Sequence, residues 1–186
     1  MMISKLLLPT YRQMLNALSS WLTKAQAQID KADTLMSARL APDMFPLSTQ
    51  VRFACYQAHE GTYRLQNCPL PATLEDLASE GRSGGERPGT IAEAQTRIDE
   101  ALVFLDSLDE GSLNSGAARS VSLELPIGIA FDLTGEQYVR DWALPQFYFH
   151  IMSAYTILRN QGIELGKADY VEHMFAYQRT GTEPTA

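Results

Sequence analysis

Residues 144–162, LPQFYFHIMSAYTILRNQG, constrain the fold more than any other stretch of this chain. Almost every residue from Phe147 to Leu158 is apolar or aromatic. A helix apolar on most sides must be surrounded by other elements. Pro145 restarts or kinks this helix, and Gly162 ends it as a C-cap. Gln146, His150 and Ser153 nonetheless interrupt the run at i, i+4 and i+7, one line down the helix. Three polar groups on so apolar a helix need partners from facing helices, or water in a pocket.

The surrounding helices are legible upstream. From Thr10 to Ile29, apolar residues at Tyr11, Met14, Leu15, Leu18, Trp21, Leu22, Ala25 and Ile29 keep a three-then-four spacing. In the connector that follows, Asp33 is placed to cap a short turn, and Arg39 with Asp43 reads as a charge pair. A second helix runs from near Pro46 to near Leu65, with Leu47, Val51, Ala54, Ala58, Thr62 and Leu65 inward. At ~100° per residue, Gln50 lies about 60° from the centre of that stripe and His59 about 120°. Gln50 therefore falls in the buried sector and His59 toward the edge.

Residues 66–89 are rich in Pro, Gly, Ser and Glu and read as a long connection, with a flexible insertion at about 78–89. A helical turn at TLEDLA is the most structure expected there. Thr90 and Glu93 form a capping box that opens a third helix, ending around Leu108. SVSLEL (120–125) alternates like a strand, Pro126 and Gly128 turn the chain, and IAFDL returns as a partner. Thr134 and Gln137 make a second capping box, opening a short helix with Tyr138, Val139 and Trp142. The expected fold is all-α: one domain over 1–171, an up-down four-helix bundle with a long crossover. A short extended or hairpin segment precedes its last helix. Residues 172–186 form a tail that ends in disorder.

Composition narrows the function. A net charge of −7 and scattered Lys and Arg argue against nucleic acid, and no apolar run reaches the ~20 residues that span a bilayer. The short apolar patch at Leu6–Leu8 does not read as a signal peptide, and Cys55 with Cys68 does not make a disulfide framework. The expected compartment is the cytoplasm. No nucleophile elbow, phosphate-binding Gly-rich loop or His-Glu-x-x-His motif occurs. Cys55 and His59 form a lone Cys-x-x-x-His pair, more readily structural than metal-binding. His173 reads as a surface residue, and Lys167 with Asp169 as a charge pair at the far end.

RLAPDMFPLSTQV (39–51) and ALPQFYFHIMSAYTILRNQGIELGKADY (143–170) resemble the signature stretches of an uncharacterised, mainly bacterial family. That family belongs to the DinB-like (DinB/YfiT) superfamily of four-helix bundles, and the resemblance covers most of residues 3–171. Metal-binding members use one histidine from the second helix and a His-x-x-x-His pair from the last. Aligned through LRNQG, Gln146 takes the first position of that pair and His150 the second, while the second-helix ligand falls at Gln50. The resemblance and the periodicity thus select the same three positions, of which one is a histidine.

Amide oxygen is a poor ligand for zinc or nickel. The resemblance therefore implies a degenerate metal site, a central polar pocket lined by Gln50, Gln146, His150 and Ser153. Such a pocket binds a small ligand or is non-catalytic. Phe53, Trp142, Tyr148 and Tyr155 are candidates for its aromatic lining. No tightly held cofactor is expected of such a set; the one it leaves room for is a weakly bound divalent metal, zinc or nickel, on His150. The expected partners are a small-molecule ligand and a second copy of the chain in a homodimer, with no nucleic acid and no membrane. The alternative is a divergent metal-dependent hydrolase or thiol-transferase with His150 as its catalytic acid or base.

Overall fold

Helix α1 (Ile3–Gln28) starts well before Thr10 because its apolar stripe continues backward through Ile3, Leu7 and Leu8, all buried. That burial offsets the backbone hydrogen bond that Pro9 removes from the helix interior, where the ring sits on the exposed side. The free N-terminus of α1 is met by a distant loop. Asn114 Oδ1 accepts the Ser4 N–H at 3.1 Å, and Ser4 Oγ accepts the Leu113 N–H at 3.0 Å. The computed structural model describes residues 2–125 and 127–182, so Pro126 and the end of the expected tail lie outside the described residues.

Helix α2 (Leu47–Gln66) buries its whole expected stripe and ends at Asn67, which takes the left-handed conformation with φ 57°. The connection that follows is more ordered than its composition indicates. Its middle is helix α3 (Ala72–Ser83), which buries Leu74, Leu77, Ala78 and Gly81 at helical spacing. The glycines that read as signs of flexibility serve close packing instead. A Cβ on Gly81 would lie 2.8 Å from the Phe53 ring, and one on Gly84 would lie 2.5 Å from Thr49 Oγ1. Thr49 Oγ1 also donates to the Gly81 carbonyl at 2.8 Å, which ties α3 to α2.

Helix α4 (Ile91–Asp106) opens with the expected Thr90–Glu93 capping box, both halves formed. Asp33 belongs to this helix and not to its own 3-10 turn (Ala32–Ser37): its Oδ1 accepts the Ile91 N–H at 2.8 Å. Strands β1 (Ser120–Glu124) and β2 (Ala130–Thr134) pair antiparallel, Ser120 opposite Thr134, and bury Val121 and Leu123. Thr134 then caps α5 (Gly135–Tyr138), again as a complete capping box. One π turn (Val139–Ala143) joins α5 to α6 (Leu144–Asn160). Pro145 has no N–H to give to the carbonyl four residues back, and a widened turn lets the helix pass it without a break.

Helix α2 lies at the centre, packed against α3, α4 and α6, while α1 covers α4 and α6. Short α7 (Lys167–Tyr170) closes the far end. There Asp169 pairs with Lys24 of α1, not with Lys167, and Trp21 Nε1 donates to the Asp169 carbonyl at 3.1 Å. Arg39 likewise turns from Asp43 and donates to the Pro42 carbonyl at 3.4 Å. The result is a helical bundle with a small hairpin before its last long helix. No helix among the described residues is long and apolar enough to cross a membrane.

Candidate functional site

Gln50 and His150 meet across the α2–α6 seam, both buried. His150 Nδ1 and Gln50 Oε1 are 2.9 Å apart, and Gln50 Nε2 donates to the Phe45 carbonyl at 3.2 Å. A carbonyl oxygen only accepts, so the bond to Phe45 fixes the amide with its nitrogen outward and its oxygen toward the imidazole. That oxygen is likewise an acceptor, so Nδ1 of His150 carries the proton and donates. The ring is a neutral tautomer whose lone pair sits on Nε2, and Nε2 has no hydrogen-bond partner among the described residues. Burial holds the imidazole well below its ordinary value, at about 4, so it stays uncharged at neutral pH.

The other members of the polar line stand apart from this pair. Ser153 is buried and Gln146 half-buried, and neither side chain makes a hydrogen bond among the described residues. Of the expected aromatic lining, Phe53 is in place, its ring 5.3 Å from that of His150. Tyr155 packs instead against Trp21 and Tyr170, and Tyr148 against Phe147. Two aromatics missed in the sequence complete the surround. Phe149 lies edge-on to His150 at 5.4 Å, and Phe45 lies edge-on to Phe53 at 5.8 Å. Both are half exposed, at 57% and 50%, so the buried pair is bordered by apolar rings open to solvent. The signal for Phe149 was adjacency to His150; Phe45 carried none, since it lies before the helix starts.

The lone Cys-x-x-x-His pair is structural. His59 Nδ1 donates to the Cys55 carbonyl at 3.0 Å, and the ring stacks on Phe104 with centroids 4.4 Å apart. Burial pushes the Cys55 thiol up to about 12, which leaves it inert. His173 is half-buried, not a free surface residue, and its buried Nδ1 has no partner among the described residues. A second polar cluster, further along α2, was not foreseen. Glu60 is buried and accepts from Tyr56 at 3.3 Å and from Arg64 at 2.9 Å, while the buried hydroxyls of Tyr11 and Tyr138 have no partner among the described residues.

A zinc or nickel ion does not fit the residues present. Gln50 Oε1, the one ligating atom of that side chain, is committed to His150. Among the described residues no group of three His, Cys, Asp or Glu side chains could hold a metal ion. What the site offers is a neutral imidazole with one free acceptor nitrogen, set among aromatic rings.

The helical bundle with its hairpin and long last helix defines the DinB-like class. A crystal structure of a DinB family member from Shewanella denitrificans is similar to this chain with a TM-score of 0.73 and 30% identity. The likeness covers 99% of this chain and 96% of that one. Within the class, residues 3–171 match the family described as Domain of unknown function (DUF1993), and the chain belongs to that family. No curated protein matches it.

Proposed function

We propose that this protein is a non-catalytic DinB-like bundle in which a metal site has become a hydrogen-bonding site for a small ligand. The observation that carries this reading is the 2.9 Å bond between His150 Nδ1 and Gln50 Oε1. In metal sites a second group commonly holds a histidine in place by accepting from its non-ligating nitrogen. By the resemblance to the DinB-like superfamily, that orienting group stands at the second-helix position where metal-binding members carry a ligand. His150 is thus held with Nε2 available, while the donors an ion would need beside it are amides.

The electrostatics favour recognition over catalysis. An imidazole that titrates at about 4 is fully unprotonated at pH 7 but a feeble base there. Nε2 serves best as an acceptor for an N–H or O–H of a ligand whose apolar part rests on Phe45, Phe53 and Phe149. Gln146 and Ser153 supply further hydrogen bonds to such a ligand.

Elemental analysis after incubation with zinc, nickel or manganese and desalting tests the proposal. It is run on wild type, on His150→Ala and on the double variant Gln50→His/Gln146→His. The expected result is no stoichiometric metal in wild type and a gain of metal in the double variant, which restores three imidazoles. Stoichiometric metal in wild type that disappears in His150→Ala would overturn it and favour a metal-dependent hydrolase or thiol-transferase.

A further inference from the structure

Arg52 sits two residues beyond Gln50 and so points to the opposite flank of α2. There a cleft of about 570 Å³ is lined by Arg52, Glu80, Ser83, Arg87, Gly89 and Arg97, from α2, α3, α4 and the turn between the last two. Arg52 is 5% exposed, an unusual place for a guanidinium. Its Nε donates to Glu80 at 3.4 Å, and its Nη1 to the carbonyl and hydroxyl of Ser48 at 3.2 and 2.8 Å. Nη2, with two N–H groups, has no acceptor among the described residues. A buried charged group is costly when its hydrogen bonds are left unmade.

The neighbouring arginines differ from it. Arg97 is consumed: Glu80 takes its Nε and Nη2, and Glu100 takes its Nη1 at 2.8 Å. Arg87 is exposed, and the one hydrogen bond its side chain makes among the described residues is a 3.4 Å approach of Nη2 to Ser83 Oγ. Gly89, at φ +69°, keeps the space over Arg52 clear. A Cβ there would lie 3.1 Å from Arg52 Nη2 and 2.5 Å from Glu93 Oε2. One buried and fixed Nη2 group, on Arg52, and one nearly unspent guanidinium, on Arg87 at the opening, therefore share the cleft.

We propose that this cleft binds a small molecule through a carboxylate held between Arg52 Nη2 and Arg87. A carboxylate has two oxygens, one to accept from Arg52 Nη2 and one from the Arg87 guanidinium, and both hydrogen bonds are charge-assisted. Asp76, Glu80 and Glu93 line the same cleft and balance the three arginines, so a dianion such as phosphate gains little there. Glu93 is held in the α4 cap by the N–H and hydroxyl of Thr90, at 2.7 and 3.1 Å, and stays in place when a ligand enters. This site is separate from the Gln50–His150 pair and stands whether or not that pair binds a ligand.

Amide and guanidinium NMR titration of the full chain tests the proposal, with sodium acetate, inorganic phosphate and sodium chloride at matched ionic strength. Acetate is expected to give saturable shifts at Ser83, Gly89 and the Arg52 Nε–H, with phosphate weaker and chloride without effect. Arg87→Ala, an exposed substitution that spares the core, raises the acetate dissociation constant about tenfold, as loss of a charge-assisted bond requires. Arg140→Ala, an exposed arginine outside the cleft, leaves it unchanged. Acetate shifts that match those of chloride, or an acetate affinity indifferent to Arg87→Ala, overturn the site. Phosphate binding tighter than acetate overturns its carboxylate chemistry.

Discussion

One part of this protein's destabilisation by acid comes from the His150 imidazole, and the size of that part follows from the site. His150 titrates at about 4 in the fold and near 6.5 when unfolded, because burial disfavours its cation. The folded state therefore binds fewer protons than the unfolded state between those values. The stabilisation is complete above about pH 6.5 and is lost as pH falls through about 4. Linkage sets the full loss at about 3 kcal/mol, with about 2 kcal/mol gone by pH 5. Urea unfolding of wild type and His150→Gln from pH 7.5 to 4.5 isolates this contribution. The variant keeps a polar side chain but removes the titration. His59, whose imidazole is also lowered by burial, is present in both proteins and cancels in the difference. The wild-type curve is expected to fall away from the variant's by about 2 kcal/mol between neutrality and pH 5. Parallel curves, or a His150 ring resonance titrating at 6.5 or above, would refute the buried neutral tautomer and the recognition site built on it.

Four further outcomes check other contacts. Gln50→Leu strands the His150 Nδ1–H without an acceptor and is expected to lower unfolding stability by about 1–3 kcal/mol, read from the urea midpoint. An unchanged midpoint would mean the pair is not formed. Asp33→Ala removes the acceptor of the Ile91 N–H and costs about 1 kcal/mol, with faster amide exchange in the first turn of α4 as the specific sign. Gly81→Ala sets a helix-propensity gain of about 1 kcal/mol against overpacking on Phe53 of about 1–3 kcal/mol, so thermal melting should show a net loss. A gain would show that α3 does not lie so close to α2. Tyr138→Phe deletes a buried hydroxyl that has no partner among the described residues, and the melting temperature is expected to hold or rise.

The parts of this protein that the sequence determined alone are those whose physics is local. Stripes at three and four residues marked α1, α2, α4 and α6, and both capping boxes formed as their Thr-x-x-Glu and Thr-x-x-Gln spacings require. Alternation marked the hairpin, and the helical wheel put Gln50 inward, because a residue's angle around a helix depends only on its position within it. The polar line of α6 was visible, but not which of its members would find a partner: His150 meets Gln50, while Gln146 and Ser153 have none among the described residues. Tertiary structure decided everything that joins distant parts of the chain. Asp33 lies near its own turn in sequence yet caps a helix 58 residues on, and Asp169 finds Lys24 from 145 residues away. The glycines around α3 look alike in sequence whether they loosen a loop or let two helices touch, since a missing side chain serves both ends. Arg52, on the flank of α2 away from the polar line, looked like one more scattered charge until α3 and α4 closed over it. A local pattern says which way a side chain faces; only the packed neighbours say what it meets.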